Sequence, residues 1–153
     1  SALVVMPERM QDVAYTDSYY DAGQVLIVPR GSAVSGMDDL NAASVAVELG
    51  ALGHVEAQTW QRRLPALTVR TYALGAVAAG EADAALVDSV SGRLYLRDHT
   101  DKLTRIAAPV TAEPYAIAVR IGDRTLHRRL NEALDQLASA GELDEIVAAW
   151  LGP

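Results

Sequence analysis

Gly80-Glu81-Ala82-Asp83-Ala84-Ala85-Leu86-Val87-Asp88-Ser89 holds the pattern from which the fold of this chain is read. Gly80 stops a helix, residues 84–87 form an apolar run without a polar face, and an acid follows at the run's carboxyl end. A run of that kind fits a strand buried on both sides, as in a parallel sheet covered by helices. Outward from it, residues 24–28, 44–49, 67–72, 103–107 and 115–119 read as further strands, making six in all. Helix-like stretches at 37–42, 51–64, 74–80 and 89–98 separate them, with Pro29, Gly31, Gly36, Pro109 and Pro114 as punctuation. Alternating strand and helix predicts an α/β fold, with a compact, predominantly parallel sheet between Gln24 and Val110.

The chain ends differently. Leu126, Leu130, Leu134 and Leu137 repeat at helical spacing before Gly141, and Leu143, Ile146, Val147, Trp150 and Leu151 follow in a second amphipathic stretch. Their apolar stripe needs a surface to cover, while the strands before Pro109 already have helices of their own. Two lobes are therefore predicted, one of them incomplete.

Composition narrows the function. With half of its 153 residues hydrophobic and 22% charged, the chain is globular rather than disordered. Its 20 acids against 13 bases leave a net charge of -7, which speaks against a nucleic-acid partner. No cysteine is present, so disulfides, thiolate metal sites and cysteine nucleophiles are excluded, while the redox compartment stays open. No apolar window approaches the roughly 18 residues of a spanning helix. The start Ser1-Ala2-Leu3-Val4-Val5 lacks the marks of a signal peptide, as a mature secreted protein also would.

Phosphate loops, dinucleotide fingerprints, nucleophile elbows and paired metalloprotease histidines are missing from the sequence. His54-Val55-Glu56 echoes zinc deaminases, but their cysteine pair has no counterpart. Neither a catalytic residue nor a metal nor a cofactor is expected. Arg124, His127, Arg128 and Arg129 read as the solvated face of an amphipathic helix.

Strand ends are more informative, because ligands of open α/β sheets bind outside the carboxyl ends of strands. In Val45-Ala46-Val47-Glu48-Leu49-Gly50-Ala51-Leu52, a glycine joins a strand to a helix whose first N–H groups can hold a carboxylate; the alternative is a tight turn serving the backbone alone. Asp88 either receives an ammonium group or caps the next helix. Pro7 places Arg9 near a helix start, where a cation is unwelcome unless a bound carboxylate or an ion pair with Glu8 or Asp12 offsets it.

Together these segments resemble the polar-amino-acid type of extracellular solute-binding protein, family 3. Pro7-Glu8-Arg9 with Tyr15-Thr16-Asp17-Ser18-Tyr19-Tyr20 is similar to that family's T-x-x-R and F-[ST]-x-P-Y segment. Met37-Asp38-Asp39-Leu40 with Val45-Ala46-Val47 is similar to DL-x-G-x-x-V-G-V, and residues 80–88 to G-x-[VI]-D-A-x-x-x-D. Glu113 to Arg120, Leu130 to Leu134, Gly141-Glu142-Leu143 and Trp150 resemble its closing motifs. Five motifs occur in the right order along nearly the whole chain.

The resemblance implies a periplasmic binding protein-like fold of type II: one complete parallel-sheet lobe at 24–110, with residues 1–23 and 111–153 supplying the end of lobe 1, the crossovers and its C-terminal helices. It implies that Arg9 binds a ligand α-carboxylate, helped by N–H groups at Gly50, Ala51 and Leu52, while Asp88 holds the α-ammonium across an interlobe cleft. Glu48 then lines the side-chain pocket and favours a basic ligand, or is simply an ion-paired strand end. Gly50-Ala51-Leu52 replaces the family's usual Gly-Thr or Gly-Ser, and Ala2 and Val4 stand where hydroxyl or small residues are common.

The implied role is the substrate-binding component of an ABC importer outside the cytoplasm, capturing an amino acid or similar zwitterion for a membrane permease. A sensor domain and a dehydratase-like enzyme using Glu48 or Glu113 as general acid are the alternatives. Because lobe 1 reads as incomplete, the chain is expected to pair with a complementing chain or to form a swapped homodimer.

Overall fold

The computed structural model describes residues 3–72 and 74–152. They form two compact units, one of Ser1–Ala22 with Glu113–Pro153 and one of Gly23–Ala112. Ala2 lies outside the described residues.

The first unit opens with β1 (Leu3–Val4), a 3-10 turn over Pro7–Arg9, β2 (Val13–Tyr15) and β3 (Tyr20–Asp21). The second unit follows with β4 (Gln24–Pro29), a 3-10 turn over Met37–Leu40, β5 (Ser44–Val47), α1 (Leu52–Gln61) and β6 (Thr68–Thr71). It continues with α2 (Gly75–Ala78), β7 (Ala84–Asp88), α3 (Ser89–Arg97) and β8 (Leu103–Arg105). The chain then returns to the first unit as β9 (Pro114–Ala116), β10 (Ala118–Arg120), α4 (Arg124–Ser139) and α5 (Glu142–Leu151).

The five strands of the second unit lie in the order β6-β5-β7-β4-β8. Alternation along each strand fills both faces. Leu26, Val28, Val45, Val47 and Leu86 pack with Met37, Leu40, Ala57 and Leu67 on one side. Val25, Ile27, Ala46 and Ala85 pack with Ala76, Val77 and Leu103 on the other. Two buried faces explain why these strands carry continuous apolar runs.

The α/β class holds, with one departure from the parallel reading. β5 pairs parallel with β6 and β7, but β4 is antiparallel to both β7 and β8. β7 and β8 thus run alike on either side of β4, and like-directed strands need a crossover rather than a hairpin. α3 supplies it. Gly92 makes the close approach possible, since a Cβ there would stand 3.2 Å from Val87 Cγ2 and 3.3 Å from Val25 Cγ2.

In the first unit, the single strand expected at 115–119 is two. β9 pairs with β1 and β3, whereas β10 pairs with β2. The change of partner falls at Ile117, whose N–H donates to Thr16 Oγ1 (3.0 Å) while its carbonyl accepts from Thr16 N–H (2.9 Å). Asp123 caps α4 by accepting from Leu126 N–H at 3.0 Å. A 2.8 Å contact between His127 Nε2 and the Tyr15 carbonyl ties α4 to β2. Gly141, with φ of 77°, turns the chain into α5. No residue of α4 or α5 is buried, and Leu126, Ile146 and Trp150 are 44%, 51% and 75% exposed.

Candidate functional site

The parallel register of β5 on β7, Val45 beside Ala84 and Ala46 beside Ala85, brings the carboxyl ends of both strands to one edge of the second unit's sheet. After Val47 the chain emerges as Glu48, Leu49 and Gly50, all exposed. Gly50 has φ of 83°, a left-handed conformation that favours glycine, and Ala51 then caps α1 in extended conformation.

The donors of this turn are distributed unevenly. Ala51 N–H closes the turn on the Glu48 carbonyl at 3.2 Å, and Gly50 N–H faces His54 Nδ1 at 3.4 Å. Of the three predicted anion-binding positions, two therefore have protein partners. Leu52 and its neighbour Gly53 open α1, where N–H groups have no carbonyl one turn earlier in the helix to accept them.

Gly53 is a position that sequence reasoning passed over. A Cβ on it would stand 2.7 Å from the Leu86 carbonyl oxygen and 2.8 Å from Gln24 Oε1, so only glycine lets the first turn of α1 lie this close to β7. The signal was present, because a glycine inside a helix's first turn lowers helix propensity and asks for a packing reason. His54 was also passed over, having been weighed only as a zinc ligand.

Asp88 ends β7 and is the N-cap of α3, its Oδ1 accepting from Ser91 N–H at 2.8 Å. The capping alternative is therefore realised. It engages one of two carboxylate oxygens, and an ionised carboxylate accepts about four hydrogen bonds, so capping leaves acceptor capacity for an ammonium group. Among the described residues Glu48 forms no ion pair. Leu49 and Leu52 are 73% and 62% exposed on either side of Gly50, giving this acidic edge an apolar border.

Arg9 belongs to the first unit, whereas Glu48, Gly50, Ala51, Leu52 and Asp88 belong to the second. Its local setting differs from the expected helix start. It is the last residue of a single 3-10 turn, its N–H bonded to the Met6 carbonyl at 3.0 Å, so no helix-start repulsion acts on its charge. Among the described residues neither Glu8 nor Asp12 pairs with its exposed guanidinium.

Two carboxyl groups elsewhere titrate below their usual range. The Ser35 hydroxyl and N–H hold Asp39 down, and the Ser44 hydroxyl and N–H do the same to Asp83. Asp83 precedes β7 and Ser44 begins β5, so that cluster sits at the sheet edge opposite the candidate site.

The second unit thus carries acidic strand ends beside a glycine-led helix start on one edge of its sheet. The chain belongs to the bacterial extracellular solute-binding proteins, family 3, matching that family's profile over residues 1–153. It is 29% identical over 157 residues to the ABC transporter glutamine-binding protein GlnH of Bacillus subtilis, covering 99% of this chain and 56% of that protein. A probable histidine-binding protein of Neisseria gonorrhoeae is 28% identical, covering 98% of this chain and 59% of its own length. The chain thus spans less than two thirds of these curated relatives.

Among solved structures, the ancestral cationic amino acid solute binding protein AncCDT-1 superposes with a TM-score of 0.78 at 30% identity, covering 99% of this chain and 67% of that one. The same ancestral protein is also described as a precursor of cyclohexadienyl dehydratase.

Proposed function

We propose that this chain forms the ligand-binding part of an ABC importer's substrate-binding component, which captures an amino acid or similar small zwitterion outside the cytoplasm and delivers it to a membrane permease. The observation that carries the proposal is the family match along the whole chain, joined to an edge on which Leu52, Gly53 and Asp88 offer donors and an acid. In this reading Arg9 and the α1 start bind the ligand carboxylate, and Asp88 binds its ammonium group. A zwitterion leaving water loses solvation at both ends, so a site that takes one must match both charges. Glu48 adds a second acid beside apolar Leu49 and Leu52, which favours a side chain with an aliphatic stem and a cationic tip.

The protein performs no chemistry in this reading. The description of AncCDT-1 as a dehydratase precursor favours one alternative, catalysis with Glu48 or Glu113 as general acid. The two are separated by thermal unfolding with each standard L-amino acid, together with the deaminated and decarboxylated analogues of any that bind. Binding predicts a saturable rise in midpoint with at least one amino acid, lost with both analogues and without product formation. If no amino acid shifts the midpoint, the binding reading fails; turnover of a bound compound replaces it with the enzymatic one.

A further inference from the structure

β4 opens on a polar residue, Gln24, that is only 3% exposed, and the buried Val25, Leu26, Ile27 and Val28 after it are all apolar. A carboxamide taken out of water costs free energy unless it is hydrogen-bonded, whereas an apolar side chain would continue the core face of Leu26 and Val28 at no such cost. The main chain of Gln24 stitches together the two places where the second unit begins and ends. Its N–H donates to Thr111 Oγ1 at 2.9 Å, and its carbonyl accepts from Val110 N–H at 2.7 Å.

The side chain runs the other way, into the unit. Oε1 stands 2.8 Å from where a Cβ on Gly53 would be, so the carboxamide lies against the first turn of α1. In the antiparallel register of β4 on β7, Gln24 is directly opposite Asp88. Paired residues of such a ladder carry their Cβ atoms about 4.5–5.5 Å apart on one face. A neighbouring bond, from Ser89 N–H to the Gly23 carbonyl at 3.0 Å, closes the same corner.

We propose that Gln24 is a positioning residue of the ligand site, coupling occupancy at Asp88 to the stitch at Val110 and Thr111. The inference rests on the ammonium-binding role proposed above for Asp88. A hydrogen-bonded buried amide is directional and fixes one arrangement of the groups around it, which an apolar side chain of similar volume does not. Here those groups are the first turn of α1, the end of β7 and both ends of the unit. An ammonium group on Asp88 changes the surroundings of a residue whose own main chain is bonded to Val110 and Thr111. The coupling is reciprocal, so an arrangement that holds the stitch also favours the ligand.

The test joins amide resonance spectroscopy to calorimetry on the full chain, with the standard L-amino acids as probes and Gln24→Met as the variant. The substitution keeps the side chain's length and the main-chain bonds to Val110 and Thr111 and removes only the carboxamide, so the stitch itself survives. In the parent, the amino acid that binds most tightly moves the Ser91 amide, which Asp88 caps, and the Val110 and Thr111 amides along one shared saturation curve. In Gln24→Met affinity falls about five- to tenfold, and at saturation the Ser91 amide still moves while Val110 and Thr111 no longer follow. Gln24→Leu, which continues the apolar face, gives the same readout if Gln24→Met does not fold. Val110 and Thr111 amides that respond undiminished in the variant overturn the coupling. So does a parent in which the amino acid moves Ser91 alone, and both results leave the Asp88 reading standing. If no standard L-amino acid moves the Ser91 amide, the Asp88 reading and the coupling fall together.

Discussion

Asp88 Oδ1 accepts the Ser91 N–H at 2.8 Å, so the residue that ends β7 also begins α3. The cap and the proposed ammonium-binding role therefore fall on one side chain, and substitution can part them. Asn caps about as well as Asp, whereas Ala costs about 1 kcal/mol. Asp88→Asn should keep its unfolding free energy within a few tenths of a kcal/mol of the parent's and lose amino-acid affinity. Asp88→Ala should lose both, as urea unfolding and calorimetry on the two variants will report.

Ala42 has φ of 69°, a left-handed conformation in a residue other than glycine, and it occupies the glycine of the family's DL-x-G-x-x-V motif. An L-residue there carries about 1–2 kcal/mol of strain, and glycine gives back part of the gain as unfolded-state entropy. Ala42→Gly should raise stability by about 0.5–1 kcal/mol, seen as a higher urea midpoint at unchanged slope.

Asp83 gives the second unit an acid-sensitive clasp. Its Oδ2 accepts from both the hydroxyl and the N–H of Ser44 at 2.7 Å, and the hydroxyl is the larger cause of its lowered pKa. A carboxylate lowered on folding stabilises fully above its unfolded value of about 3.9, and that stabilisation is lost as pH falls through the folded value. Ser44→Ala removes the hydroxyl donor, so the Asp83 carboxyl should titrate at higher pH by carbon-detected resonance. An unmoved titration would take the hydroxyl out of the explanation.

Legibility in the sequence followed the reach of each signal. Strands β4, β5 and β7 were readable because both faces are buried and every residue in the run is apolar or nearly so. β1, β2 and β3 were missed, for they are two or three residues long and pair with residues 114–120, about a hundred positions away. Ile117 splits the last predicted strand through a buried Thr16 hydroxyl that no periodicity announces. At the candidate site, the sequence placed Glu48, Gly50 and Asp88 at strand ends, and that is where β5 and β7 put them. Which N–H groups of the turn are engaged depended on the Glu48 carbonyl and the His54 ring, whose positions only the fold sets.

The C-terminal helices give a prediction about assembly. Leu126 and Ile146 are about half exposed in amphipathic helices without a buried residue, and we propose that a partner covers this apolar side. For a protein purified alone, a second copy is the partner always present at matching concentration. Sedimentation equilibrium of the 153-residue chain at micromolar concentration should report about twice 16.3 kDa, and a monomer would rule out self-association through these helices.

Arg9 carries the heaviest functional assignment, since its exposed guanidinium has no partner in Glu8 or Asp12 and is proposed to grip the ligand carboxylate. Isothermal calorimetry of the parent protein and of Arg9→Ala, with whichever standard L-amino acid stabilises the parent most, reads that assignment. A hydrogen bond to a charged group is worth about 1.5–3 kcal/mol, so affinity should fall by about 10- to 100-fold. Unchanged affinity in Arg9→Ala would contradict the zwitterion site.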